Sequence, residues 1–86
     1  MRRYYFHTED GRCFPDEVGV ELPDLQAVRE VALRAFGEMA RELDGQFWEA
    51  GSWRMIIKDD RDLTLFTLEL WANDAAAMQA LGQRRS

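Results

Sequence analysis

At 86 residues with a net charge of −5, the chain makes one small domain, and its three Trp, five Phe, two Tyr and four Met supply a single apolar core that competes with any deep cleft for the same side chains. Six acids stand between Glu9 and Asp24 against one base, Arg12, and the remaining bases are scattered apart from the end pairs Arg2-Arg3 and Arg84-Arg85, which disfavours a nucleic-acid partner. A lone cysteine, Cys13, excludes an intrachain disulfide, and no run approaches the ~20 apolar residues of a membrane span.

The chain starts with an aromatic strand, Arg2–Thr8. Glu9-Asp10-Gly11-Arg12 reads as a hairpin turn, since Asp-Gly tolerates positive φ. Cys13-Phe14 resumes a second strand, which Pro15 keeps short or at an edge because proline has no N–H for the ladder. Gly19 marks a bend before Val20-Glu21-Leu22. Pro23-Asp24 opens a helix, with Asp24 as N-cap. Leu25, Val28, Ala32, Phe36, Met39 and Leu43 then recur at gaps of three and four, forming one apolar face that Val31 and Ala35 widen. Glu30 and Arg34 are placed for an i,i+4 ion pair on the opposite face. Asp44-Gly45 is expected to end the helix, with Gly45 in the left-handed C-terminal position.

Gln46–Ser52 is expected to be a loop carrying Phe47 and Trp48. Trp53–Lys58 reads as a third strand, Asp59–Asp62 as a turn and Leu63–Trp71 as a fourth strand. Asn73 is placed to cap a short final helix through Leu81, with a frayed tail from Gly82 onward. Residues 1–74 form the expected α+β domain, and residues 75–86 the short C-terminal helix and tail. The expected architecture is two-layered: a four-stranded, mostly antiparallel β-β-α-β-β sheet packed on one long helix.

Alternation along the strands separates two sheet faces. One carries Tyr4, Phe6, Trp53, Met55, Ile57, Phe66, Leu68 and Leu70, the natural partner of the helix stripe. The other carries Tyr5, His7, Arg54, Ile56, Lys58, Leu63, Leu65, Thr67, Glu69 and Trp71. Half of that second face is apolar. It suits a protein–protein surface, the seat of the C-terminal helix, or both together. Tyr5, Ile56, Leu65 and Trp71 are the candidate oligomer contacts.

Few side chains suggest chemistry. His7 and Cys13 face each other if the hairpin loop spans Thr8–Arg12; His7 faces Phe14 if the turn is only Asp10-Gly11. Neither case supplies the oriented base and oxyanion site of Cys–His catalysis. The plain reading is that His7 bonds across strands and Cys13 is a small apolar filler. The acids Asp16, Glu17 and Glu21, and separately Asp59, Asp60 and Asp62, lack calcium-loop spacing and suit turns as well as metals. One Cys and one His do not make a zinc site. Trp48 and Trp53 flank Gly51-Ser52 and are expected to plug the open end of the core. His7, Asp16 and Trp48 are the candidate ligand-binding residues; no cofactor or metal is expected.

Several segments together carry a resemblance: Arg3-Tyr4-Tyr5-Phe6-His7, the run Asp16-Glu17-x-Gly19-x-Glu21-Leu22-Pro23-Asp24, the Ala/Arg-rich helix, and Trp53-Arg54-Met55 with the later Asp59-Asp60 and Leu65-Phe66-Thr67-Leu68. Over residues 2–71 the chain resembles a family of short bacterial proteins known as a domain of unknown function, number 6894. The resemblance implies no activity or catalytic residues. The family commonly has Gly where this chain has Asp62, which implies a longer turn or one of another type. In layout the chain is also similar to HicB-like antitoxins, which implies a basic ribonuclease facing the acidic stretch. The leading expectation is a non-enzymatic cytoplasmic module that forms homo-oligomers. The alternatives are a regulatory partner of a basic protein, and a small ligand-binding or enzymatic domain using His7.

Overall fold

A computed structural model describes residues 1–43 and 45–84. Asp44, expected at the helix end, and Arg85 of the terminal basic pair lie outside them. The elements in chain order are β1 (Arg2–Glu9), β2 (Cys13–Phe14), β3 (Val20–Leu22), α1 (Leu25–Glu42), α2 (Gly45–Ala50), β4 (Ser52–Lys58), β5 (Thr64–Trp71) and α3 (Ala76–Arg84). The fold is α+β, with an antiparallel sheet in the order β2-β1-β4-β5 and β3 paired to the far end of β1.

The first departure from expectation is a fifth strand. Residues Cys13–Leu22 run back along β1 but are broken in the middle. Thr8 pairs with Phe14 and Tyr4 with Val20, so Pro15–Gly19 must bulge out over Tyr5, Phe6 and His7. Proline interrupts the ladder there. Gly19 re-enters it with φ +71.

The face alternation is as expected. Tyr4, Trp53, Met55 and Ile57 are buried, and Met55 and Ile57 are completely so. Val28 and Ala32 of α1 meet them, also without exposure, and Phe36 lies 4.7 Å from the Trp53 ring. The stripe is narrower than its periodicity suggests. Leu25 at its start and Met39 toward its end stay exposed, while Ala40 and Leu43 beyond Met39 still pack against the core. Asp24 caps α1 as expected, accepting from the Ala27 N–H at 2.8 Å. Glu30 accepts from Gln26, and its expected ion pair with Arg34 is not formed.

Three boundaries are corrected. Gly45 is not a left-handed terminus: α1 closes at Leu43 in extended conformation, and Gly45 begins a new helix. The segment expected as a loop is thus helix α2, seated by Phe47, which is buried in the core. Asn73 does not cap α3, which starts at Ala76 and continues through Gly82 to Arg84. A β-bulge between Ile57 and Lys58 shifts the β4–β5 register, so Lys58 meets Thr64 rather than Leu65.

The molecule is long and thin, 55 × 22 × 20 Å, with a radius of gyration of 16.1 Å. A compact chain of this length has about 12 Å. Helix α3 accounts for part of the difference: it is exposed along Ala76–Leu81 and is not laid over the second sheet face.

Candidate functional site

The Pro15–Gly19 loop is tied to β1 chiefly through one residue, Asp16, with a second tie from the Arg3 guanidinium to the Val18 carbonyl at 2.8 Å. The Asp16 carboxylate accepts from the backbone N–H of Phe6 at 3.1 Å, Val18 at 3.0 Å and Gly19 at 3.1 Å. The Phe6 bond replaces a ladder bond that the missing strand cannot make. Its own N–H donates to His7 Nδ1 at 2.9 Å. Partial burial pushes the Asp16 carboxyl up, but the N–H groups of Gly19, Phe6 and Val18, with the His7 imidazole, outweigh it and hold the group below the usual carboxylate value.

His7 therefore meets neither Cys13 nor Phe14. The hairpin closes with Glu9 opposite Cys13, which leaves Asp10–Arg12 as its loop and puts His7 beside the bulge. Cys13 is exposed, not a filler. The imidazole stacks on Tyr5 at 6.4 Å between ring centres and looks onto a shallow depression of about 210 Å³ shared with Asp16, Asp59, Asp60 and Asp62. Those acids are engaged elsewhere. Asp59 accepts from the N–H of Arg61 and Leu63, Asp60 pairs with Arg2, and Asp62 pairs with Lys58. The Leu63 N–H foremost holds Asp59 below its ordinary value, against partial desolvation and aided by the Arg61 N–H and the charges of Arg2 and Arg61. Among the described residues no group of three or more His, Cys, Asp or Glu is arranged to hold a metal ion.

Of the candidate ligand residues, His7 and Asp16 are brought together and Trp48 is not. Trp48 sits on α2, 72 % exposed, while Trp53 is buried in β4, so the two do not form the expected plug. Trp48 instead edges a groove of about 450 Å³ with Leu43, Phe47, Leu70 and Trp71.

The candidate oligomer contacts divide. Tyr5 and Ile56 are half-buried inside the sheet, whereas Leu65 and Trp71 are exposed on β5. Across this face Arg54 pairs with Glu9 at 2.6 Å and lies 3.8 Å from Glu69. The outer edge of β5 has no strand beside it among the described residues. That open edge was not singled out from the sequence. The absence of Lys and Pro from Thr64–Trp71 was the available signal.

The profile of the family described as Domain of unknown function (DUF6894) matches residues 3–71. The chain belongs to this family. The match runs from β1 to the end of β5 and stops before α3. Neither the curated proteins nor the solved structures give a match. Asp62 adopts φ 65, a left-handed conformation that aspartate tolerates better than most side chains.

Proposed function

We propose that this chain is a non-enzymatic self-association module and that the contact is made along β5. The observation that carries this reading is the open stretch from Phe66 to Trp71, past the bulge at the start of the strand. Natural edge strands are blunted by lysine, proline, short length or a covering element. Phe66–Trp71 has none of these, and its one charge, Glu69, is turned toward Arg54 and the Trp71 indole N–H. A second copy is the occupant that fits it best. Two identical antiparallel edges on a two-fold axis satisfy each other's backbone rows with no further adaptation. Leu65 and Trp71 beside that edge would add apolar contact to the backbone pairing.

The alternatives find less support. An acidic face for a basic partner needs free carboxylates. Asp16, Glu9, Glu21 and Asp60 are instead bonded within the chain. The HicB-like likeness rests on layout, which does not carry function. A His7-centred ligand site would have only the Nε2 side of the ring to offer, because the Asp16 N–H occupies Nδ1.

Size-exclusion chromatography with light scattering over a hundredfold concentration range tests the reading. A dimer is expected for the native chain and a monomer for Thr67→Lys, with equal circular dichroism. A native chain that stays monomeric throughout, or a Thr67→Lys variant that still dimerises with protected β5 amides, would sink it.

A further inference from the structure

His7 is the only histidine, and its Nδ1 accepts a hydrogen bond from the Asp16 backbone N–H at 2.9 Å. A ring nitrogen that accepts carries no proton, so the neutral ring bears its hydrogen on Nε2. The next proton can go only to Nδ1, the atom already facing an N–H. Two N–H groups cannot share that line. The same residue that supplies the donor also supplies an anion, since the Asp16 carboxylate is bonded to Phe6, Val18 and Gly19 beside it.

We propose that protonation of His7 reverses the His7–Asp16 hydrogen bond and thereby shifts the Pro15–Gly19 loop, making this loop a proton-operated latch. A solvent proton adds to the Nδ1 lone pair. The Asp16 N–H loses its acceptor, and the new Nδ1–H donates to the Asp16 carboxylate in competition with the Val18 and Gly19 N–H groups. No ladder pair falls inside the loop, since the flanking pairs are Thr8–Phe14 and Tyr4–Val20, and its one tie to β1 beyond Asp16 is the Arg3 bond to the Val18 carbonyl, which leaves the Pro15–Asp16 end able to respond.

The charged groups near the ring come from β1, the loop, β4 and the β4–β5 turn, and on β1 they include Arg3, which bonds the Val18 carbonyl and pairs with Glu21. Tyr5 and Glu9 flank His7 on β1, and Asp16 faces it from the loop. Ile56 lies opposite on β4, with Arg54 and Lys58 two residues to either side, and the β4–β5 turn brings Asp59, Asp60 and Asp62 to the shared depression. Arg54 and Lys58 are each paired with an acid.

Nuclear magnetic resonance on the full chain between about pH 8 and pH 5 tests this, because imidazole ordinarily titrates within that range. At pH 8 the ¹⁵N shifts should report hydrogen on Nε2. On acidification the protection factor of the Asp16 amide should fall at least tenfold in step with the imidazole titration, while the Met55 and Ile57 amides hold. His7→Asn puts a non-titrating acceptor near the Nδ1 position and should keep Asp16 protected at both pH values. Hydrogen on Nδ1 at pH 8, unchanged Asp16 protection at pH 5, or the same pH response in His7→Asn would each overturn the latch. The first two are read on the native chain, so the test stands even if the variant fails to fold.

Discussion

The two edges of the sheet solve the same physical problem in opposite ways. At one, β2 and β3 are two and three residues long, separated by a loop whose Asp16 carboxylate, together with the His7 imidazole on β1, takes over the missing ladder bonds. At the other, β5 is eight residues long, with an open backbone row and exposed Leu65 and Trp71. An edge broken by proline and satisfied by side chains cannot accept another strand; a long edge without lysine or proline can. The closed edge is thus where the fold spends its polar side chains, and the open edge is where a partner is expected.

The largest effect that would break this contrast lies at Gly19. A Cβ there would stand 2.9 Å from the Tyr4 carbonyl oxygen, as well as 2.9 Å from Arg3 Cγ and Tyr5 Cε1, at φ +71. The carbonyl belongs to β1 and cannot move aside. Gly19→Ala is expected to destabilise by about 3 kcal/mol in urea titration, from backbone strain plus the clash. A loss under about 1 kcal/mol would mean that the closed edge is looser than its geometry.

Next comes Asp16→Asn, expected to cost about 2 kcal/mol near neutral pH, because a charged acceptor of three N–H groups becomes a neutral amide with one acceptor oxygen. The acid limb sharpens this. The folded Asp16 carboxyl sits below its ordinary 3.8, so its contribution is complete above that value and is lost as pH falls through the lower folded one. The native chain should therefore lose stability faster than Asp16→Asn below about pH 4. Asp59 adds a loss of the same sign that persists in the variant.

The smallest effect on folding belongs to the open edge. Thr67→Lys should change monomer stability by no more than about 0.5 kcal/mol, since Thr67 is exposed and packs on nothing in the core. Its consequence is confined to self-association. Equal urea midpoints with unequal elution would mark β5 as a contact surface, whereas a large loss of monomer stability would show it to be part of the fold.

The sheet faces were legible because alternation is a local geometric fact. Tyr4, Trp53, Met55 and Ile57 each fall on the core side by parity. Asp24 was legible for a similar reason, as a carboxylate one residue before an apolar repeat. Helix α2 was not. Its six residues are too few to show a period, and only Phe47 finding a place beside the sheet makes the segment helical. The partnership of His7 and Asp16 was half legible: both residues stood out, but the length of the Asp10–Arg12 loop sets the register that separates His7 from Cys13, and the bulge that brings Asp16 to His7 depends on where β3 rejoins β1.

Local chemistry was therefore enough to place the strands, the long helix and its cap, and the division of apolar from mixed sheet face, since each depends on residues a few positions apart. Long-range pairing alone decided the break between β2 and β3, the use of Asp16 as a substitute ladder partner, the burial of Phe47 beside an exposed Trp48, and the open outer edge of β5. The physical reason is that a backbone N–H or C=O must find a partner somewhere, and which partner it finds depends on where distant segments stop.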